Sequence, residues 1–205
     1  MTTALLQTTY FGPVQWYQKL YRYDRVLIEQ YDSFHKQTFR NRCVIMTANG
    51  RQALTVPVES DRQAAATHAP LLKDVRISDH NAWRRVHWNA LQSAYSESPF
   101  FDYYADDIRP FFEQRYTFLI DFNEAVCRKM CELIDIRPTV ERTTAFRPAA
   151  DADFCDVISA KHPQPDADFV PRSYWQVFAA RHGFQPNLSI LDLLFCMGPE
   201  SIFYL

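Results

Sequence analysis

Three permanent cations and a histidine fall within nine consecutive residues, "FHKQTFRNR" from Phe34 to Arg42, in a chain whose formal net charge is -2. In an extended run, period-two alternation sends Lys36, Thr38, Arg40 and Arg42 to one side and His35, Gln37, Phe39 and Asn41 to the other. A row of cations with a hydroxyl suits an anion. Two arginines can clamp phosphate or carboxylate in bidentate fashion, and lysine supplies a mobile point charge. The bland alternative is a solvated strand edge whose charge prevents edge-to-edge pairing.

A second cluster lies in "SDHNAWRRVHWNALQSAY". On a helix, His80, Arg84 and His87 share roughly one face with Trp83 beside them. Histidine titrates near neutrality, which makes His87 the candidate general base. A packed helix whose histidine and tryptophan nitrogens bond to backbone carbonyls has the same composition. In a third stretch, "SYWQVF", an expected strand projects Tyr174, Gln176 and Phe178 together. A phenol and an amide so placed orient a polar ligand, and a half-buried edge strand gives the same pattern.

What is missing narrows the chemistry. The four glycines, Gly12, Gly50, Gly183 and Gly198, are isolated, so neither a P-loop nor a G-x-G-x-x-G loop can be built, and no G-x-S-x-G is present. Six histidines include no H-E-x-x-H and no closely spaced His/Cys pair, which argues against a dedicated metal site. The five cysteines form no C-x-x-C and suit reduced thiols. No cofactor is named by any motif. Slight net acidity opposes the broad electropositive surface of nonspecific nucleic-acid binding. No apolar run approaches the roughly 18 residues of a membrane span, and the opening "MTTALLQTTYFGPV" lacks a signal-peptide pattern, so we expect a cytoplasmic protein with no membrane insertion.

These residues need a scaffold, and at 205 residues with 47% hydrophobic content we expect one domain over 1–205. "TALLQTTYF", "GPVQWYQKLYRYD" and "RVLIEQYD" read as strand, helix with Pro13 in its first turn, and strand, most economically a parallel β-α-β unit. "RNRCVIMTANGRQALTVPVE" alternates on both sides of Asn49-Gly50, the strongest hairpin signal in the chain. "DVRISD" reads as a short strand, with Asp79 placed to cap a helix on which Trp83, Val86, Ala90, Leu91 and Ala94 mark one face. Two helical stretches follow, the first broken near Pro110. From about 138 to 173 the chain reads as a long irregular surface excursion with one strand at "TVERTTAF". "LSILDLLFCM" is apolar nearly all round apart from Asp192 and should be a buried helix. The fold class expected is α/β: the β-α-β unit and the hairpin form a mixed sheet, with a helical C-terminal half packed on it.

Taken in order, "QTTYFGPVQWY", "KQTFRNR", "ANGRQALTVPV", "WRRVHWNALQSAYSESPFF" and "LSILDLLFCMGPE" resemble the WbqC-like family over nearly the whole chain. This bacterial family is named from a protein of O-antigen gene clusters, and the resemblance implies a pathway neighbourhood in polysaccharide biosynthesis. It also carries a recurring polar set onto Lys36, Asn41, Arg42, Trp83, His87, Tyr95 and Gln176. Two departures stand out. Gln30-Tyr31 replaces a paired acid found in many members, and "AKHPQPDADFVPRS" stands where longer members carry a glycine-containing stretch.

Residues and resemblance together lead us to expect a small group-transfer enzyme, a transferase, acting on an anionic metabolite of surface-polysaccharide precursor metabolism. Lys36, Arg40 and Arg42 hold the anion. Asn41, Trp83, Tyr95, Tyr174 and Gln176 complete the ligand site, and His87 moves a proton. The alternative is a noncatalytic module for a protein partner from the same pathway, motivated by the aromatic-rich "SPFFDYYADDIRPFFEQRY".

Overall fold

In the computed structural model, which describes residues 1–59 and 69–205, the first thirty residues form the β-α-β unit. Strand β1 (Thr3–Gln7) and strand β2 (Arg25–Glu29) pair in parallel, joined by helix α1 (Val14–Arg22). Pro13 is the residue just ahead of the helix, in extended conformation, and the chain turns into it at Gly12. There is no room for a side chain at that turn, because a Cβ on Gly12 would lie 2.3 Å from Thr9 Oγ1.

The sheet is completed by the excursion. β5 (Thr139–Arg142) pairs in parallel with β2, and β6 (Ala152–Asp153) pairs in parallel with β1, giving the order β5-β2-β1-β6. The stretch after Pro138 is thus irregular for most of its length, yet it supplies both edges of the sheet. Period-two alternation then divides the faces. Leu5 and Leu27 pack with Cys155 on one side, while Ala4, Leu6, Val26 and Ile28 join the main core on the other.

Asn49-Gly50 makes the hairpin as expected, with β3 (Arg42–Thr47) and β4 (Gly50–Thr55) in antiparallel register and Gly50 at φ +109°. It stands as a two-stranded sheet of its own. The flanks of β1 and β2 are already taken by β6 and β5, so the hairpin packs elsewhere, where Val44 O accepts from Ser189 N at 2.8 Å. "DVRISD" contributes only isolated bridges, Val58 to Ile77 and Arg76 to Phe118.

The helical half comprises α2 (Trp83–Tyr95), α3 (Phe101–Ile108), α4 (Pro110–Glu113), α5 (Leu119–Leu133), the short α6 (Ala179–His182) and α7 (Ile190–Met197). The buried stripe of α2 is Trp83, His87, Leu91, Ala94 and Tyr95, whereas Val86, expected on that face, is 54% exposed. On a 3.6-residue helix it falls outside the arc that residues 83, 87, 91 and 94 define. Asp79 does not cap with its side chain; its carboxylate pairs with Arg84 and Arg115 instead. Pro110 breaks the aromatic stretch into α3 and α4, and the break lets Phe101, Tyr104, Phe111 and Phe112 all turn inward. Only Tyr103 stays largely in solvent, at 74%, so the aromatic surface that motivated a partner-binding module is mostly core.

Candidate functional site

Helix α5 presents two adjacent stripes. Leu119, Phe122, Val126 and Met130 point into the core, and Asn123, Cys127 and Cys131, each one helical turn from the next, face a cleft of about 430 Å³ between α5 and the β2–β5 side of the sheet. Trp16, Ile28 and Val140 give the cleft an apolar floor. Its rim carries Glu124, Arg128, Arg137 and Arg142. Arg142 is committed to Asp121 and Glu124, and Arg128 to Glu124 at 3.1 Å, while Arg137 has no ion-pair partner among the described residues. A volume of this size, a mainly apolar lining and a few polar groups are the usual features of a small-molecule site.

At the inner end, Thr8 follows β1 and Asn123 reaches across from α5. Asn123 Nδ2 donates to the backbone carbonyl of Arg40 at 2.7 Å, and its Oδ1 is buried without a partner. The basic segment therefore braces, through its main chain, a residue that lines the cleft, without lining it itself. Its side chains go elsewhere. Gln37, at φ +64°, breaks the extended run, so the expected row of Lys36, Thr38, Arg40 and Arg42 does not form. Arg40, only 2% exposed, turns inward to Asp32 Oδ2 at 2.7 Å, and burial pushes its guanidinium down against the upward pull of that carboxylate. Asp32 also accepts from Gln7 and lies 3.7 Å from Arg147, which itself pairs with Asp156. Asn41 donates to Val56 O, Arg42 Nε donates to Thr55 Oγ1 at 3.2 Å, and Lys36 is exposed.

His87 lies in an aromatic nest. Its Nδ1 meets the Tyr10 hydroxyl at 2.9 Å, it bonds to the Thr55 backbone, and Trp83 stands edge-on to it. Burial lowers its pKa to about 4. The imidazole is thus neutral near pH 7, accepting from Tyr10 and donating to Thr55, and it is not among the residues lining the cleft. Trp83 donates its Nε1–H to Ser78 O and carries the Arg84 guanidinium over its ring.

Tyr95, Tyr174 and Gln176 come together on a residue that the motifs did not single out as functional. Asp192, 1% exposed, accepts from Tyr95 Oη at 2.8 Å, from Tyr174 Oη at 2.7 Å and from Gln176 Nε2 at 2.9 Å. Burial raises its pKa, and the three donors pull it back only in part. "SYWQVF" is not a strand, yet Tyr174 and Gln176 do project to the same side. The signal for Asp192 was the lone charge in an apolar helix; Tyr10 and Asn123 gave none, being an aromatic and an amide in amphipathic runs.

The N-terminus of α1, where an α/β phosphate site would lie by fold analogy, is closed by the chain itself. Val14 N donates to Leu188 O at 3.0 Å and Gln15 N to Asn187 Oδ1 at 2.9 Å. Among the described residues no three His, Cys, Asp or Glu side chains are grouped to hold a metal ion, and no helix is long and apolar enough to cross a membrane.

A model of the WbqC-like protein family matches residues 7–167, from the end of β1 into the excursion. The chain belongs to the WbqC-like family. It is also similar to the uncharacterized protein Rv1507c of Mycobacterium tuberculosis (strain ATCC 25618 / H37Rv), 26% identical over 231 residues that cover 98% of this chain and 96% of that protein. No solved structure matches. In this WbqC-like protein the matched span contains every residue lining the cleft, whereas Tyr174, Gln176 and Asp192 lie beyond it.

Proposed function

We propose that this WbqC-like protein is a small group-transfer enzyme that takes an anionic metabolite of surface-polysaccharide precursor metabolism into the cleft beside α5. Family membership supports the pathway. The observation that carries the site is the cleft itself, whose apolar floor ends at buried Asn123 with its Oδ1 unpartnered. A buried acceptor without a donor costs free energy unless a ligand supplies one. In this reading the metabolite's apolar body lies on Trp16, Ile28 and Val140, one of its donors meets Asn123, and its phosphate or carboxylate meets Arg137. Arg40, already neutralised by Asp32, holds Asn123 in place through its backbone carbonyl, and His87 serves as a neutral strut.

The test is a thermal-shift panel of nucleotides, nucleotide sugars, acyl-coenzyme A and sugar phosphates against wild type, Asn123→Ala, Arg137→Ala, Lys36→Ala and Arg42→Ala. A ligand at a hundredfold its dissociation constant stabilises by about 2.7 kcal/mol, a shift of several degrees. We expect one compound class to shift wild type, Lys36→Ala and Arg42→Ala, with a reduced shift in the two cleft variants. A shift lost only in Lys36→Ala and Arg42→Ala would move the anion site to the basic segment, and no shift from any compound would end the metabolite reading.

A further inference from the structure

Cys127 and Cys131 stand four residues apart on α5, buried from bulk solvent, and both line the cleft. The metabolite reading uses neither. Cβ atoms at i and i+4 of a helix lie about 5–6 Å apart, whereas a disulfide needs about 3.5–4.5 Å. Direct S–S closure would unwind a turn of the helix whose other stripe fills the core. One atom bonded to both sulfurs spans the wider gap, since two bonds of about 2.3 Å, the length of a zinc–thiolate bond, extend the reach without moving the backbone. Hydrogen bonding with Cys131, ahead of burial, pushes the Cys127 thiol well above its ordinary range.

The donor set limits the guest. With no third His, Cys, Asp or Glu ligand grouped here among the described residues, a four-coordinate structural ion lacks ligands. Thiolates select soft centres. We propose that Cys127 and Cys131 form a bidentate thiol site for a soft centre that needs only two protein ligands, reached through the cleft and occluding it once filled. With an organic arsenic(III) oxide, one As=O bond and two S–H bonds give way to two As–S bonds and one water, with no change of oxidation state. With cuprous ion, two S–H bonds give way to two Cu–S bonds and two protons leave.

Reduced, folded protein is titrated with phenylarsine oxide and, separately, with cuprous ion buffered by a competing chelator. Native mass and peptide mapping after alkylation read the occupancy. We expect one centre per chain from at least one probe, protection of both thiols, and affinity lower by about 100-fold in Cys127→Ser or Cys131→Ser through loss of the chelate, with Cys155→Ser unchanged. Cys127→Ala substitutes where serine perturbs folding. Uptake of the arsenical alone assigns an organoarsenical-type guest, and uptake of copper alone assigns an ion. Binding unaffected by either serine variant, or no binding to the folded chain by either probe, overturns the site.

Discussion

Asn123 donates from Nδ2 to the backbone carbonyl of Arg40 at 2.7 Å, so the helix that walls the cleft also fixes the segment that carries the cation cluster. The bond explains why Arg40 can be buried. With its main chain held by α5 and its guanidinium paired to Asp32, the residue stands behind Asn123 and offers no free charge to a ligand in the cleft, which it does not line.

Asn123→Ala removes that donor and leaves the Arg40 carbonyl unpaired in a buried setting. We expect a loss of about 1–3 kcal/mol in urea unfolding. An unchanged midpoint and slope would mean that the bond contributes nothing.

His87 gives stability a defined pH dependence. Its folded pKa of about 4 lies below the ordinary value of 6.5, so between those values the unfolded chain holds more protons than the folded one. The contribution is therefore full above pH 6.5 and is lost as pH falls through 4, by up to roughly 3 kcal/mol. His87→Gln should flatten the change in unfolding free energy between pH 7 and pH 4.5. If wild type and variant lose stability equally over that range, the imidazole is not held neutral by burial.

Asp192 behaves in the opposite sense. Its folded pKa is raised, so what it contributes through proton binding is present at low pH and is lost as pH rises through the folded value. Tyr174→Phe withdraws a donor from the charged carboxylate and should cost about 1.5–3 kcal/mol at pH 7. The deficit should shrink as pH falls through the raised folded value, where protonation relieves the unpaired charge. A deficit independent of pH would indicate lost packing alone.

Gly12 should tolerate no side chain while Thr9 is present. We expect Gly12→Ala to destabilise by about 1–3 kcal/mol. Thr9→Ala removes a hydroxyl that has no partner and should cost little alone, yet it should recover part of the Gly12→Ala loss because the two sites are in contact. Strict additivity in the double variant would rule out the clash.

The sequence made the β-α-β unit and the hairpin legible because strand alternation and an Asn-Gly turn are local signals. The two residues of β6 carry no period, so the order of the sheet, and with it the exclusion of the hairpin from that sheet, could not be read. Alternation also misplaced Arg40. It presumes regular extended backbone, and a single left-handed residue, Gln37, redirects everything after it. Tyr95 and the pair Tyr174 and Gln176, with three helices and two strands between them in sequence, converge only because α7 brings Asp192 between them, a tertiary fact that no spacing encodes. Asn123 looked like one more polar residue of an amphipathic helix.

The most direct test of the cleft as the ligand site is the dissociation constant of the strongest compound from the panel, measured by titration calorimetry for wild type, Arg137→Ala and Arg42→Ala. The cleft reading predicts a loss of about 1.5–3 kcal/mol in Arg137→Ala, the worth of a hydrogen bond to a charged group, and none in Arg42→Ala. Unchanged affinity in Arg137→Ala together with lost affinity in Arg42→Ala would contradict it and place the anion on "FHKQTFRNR".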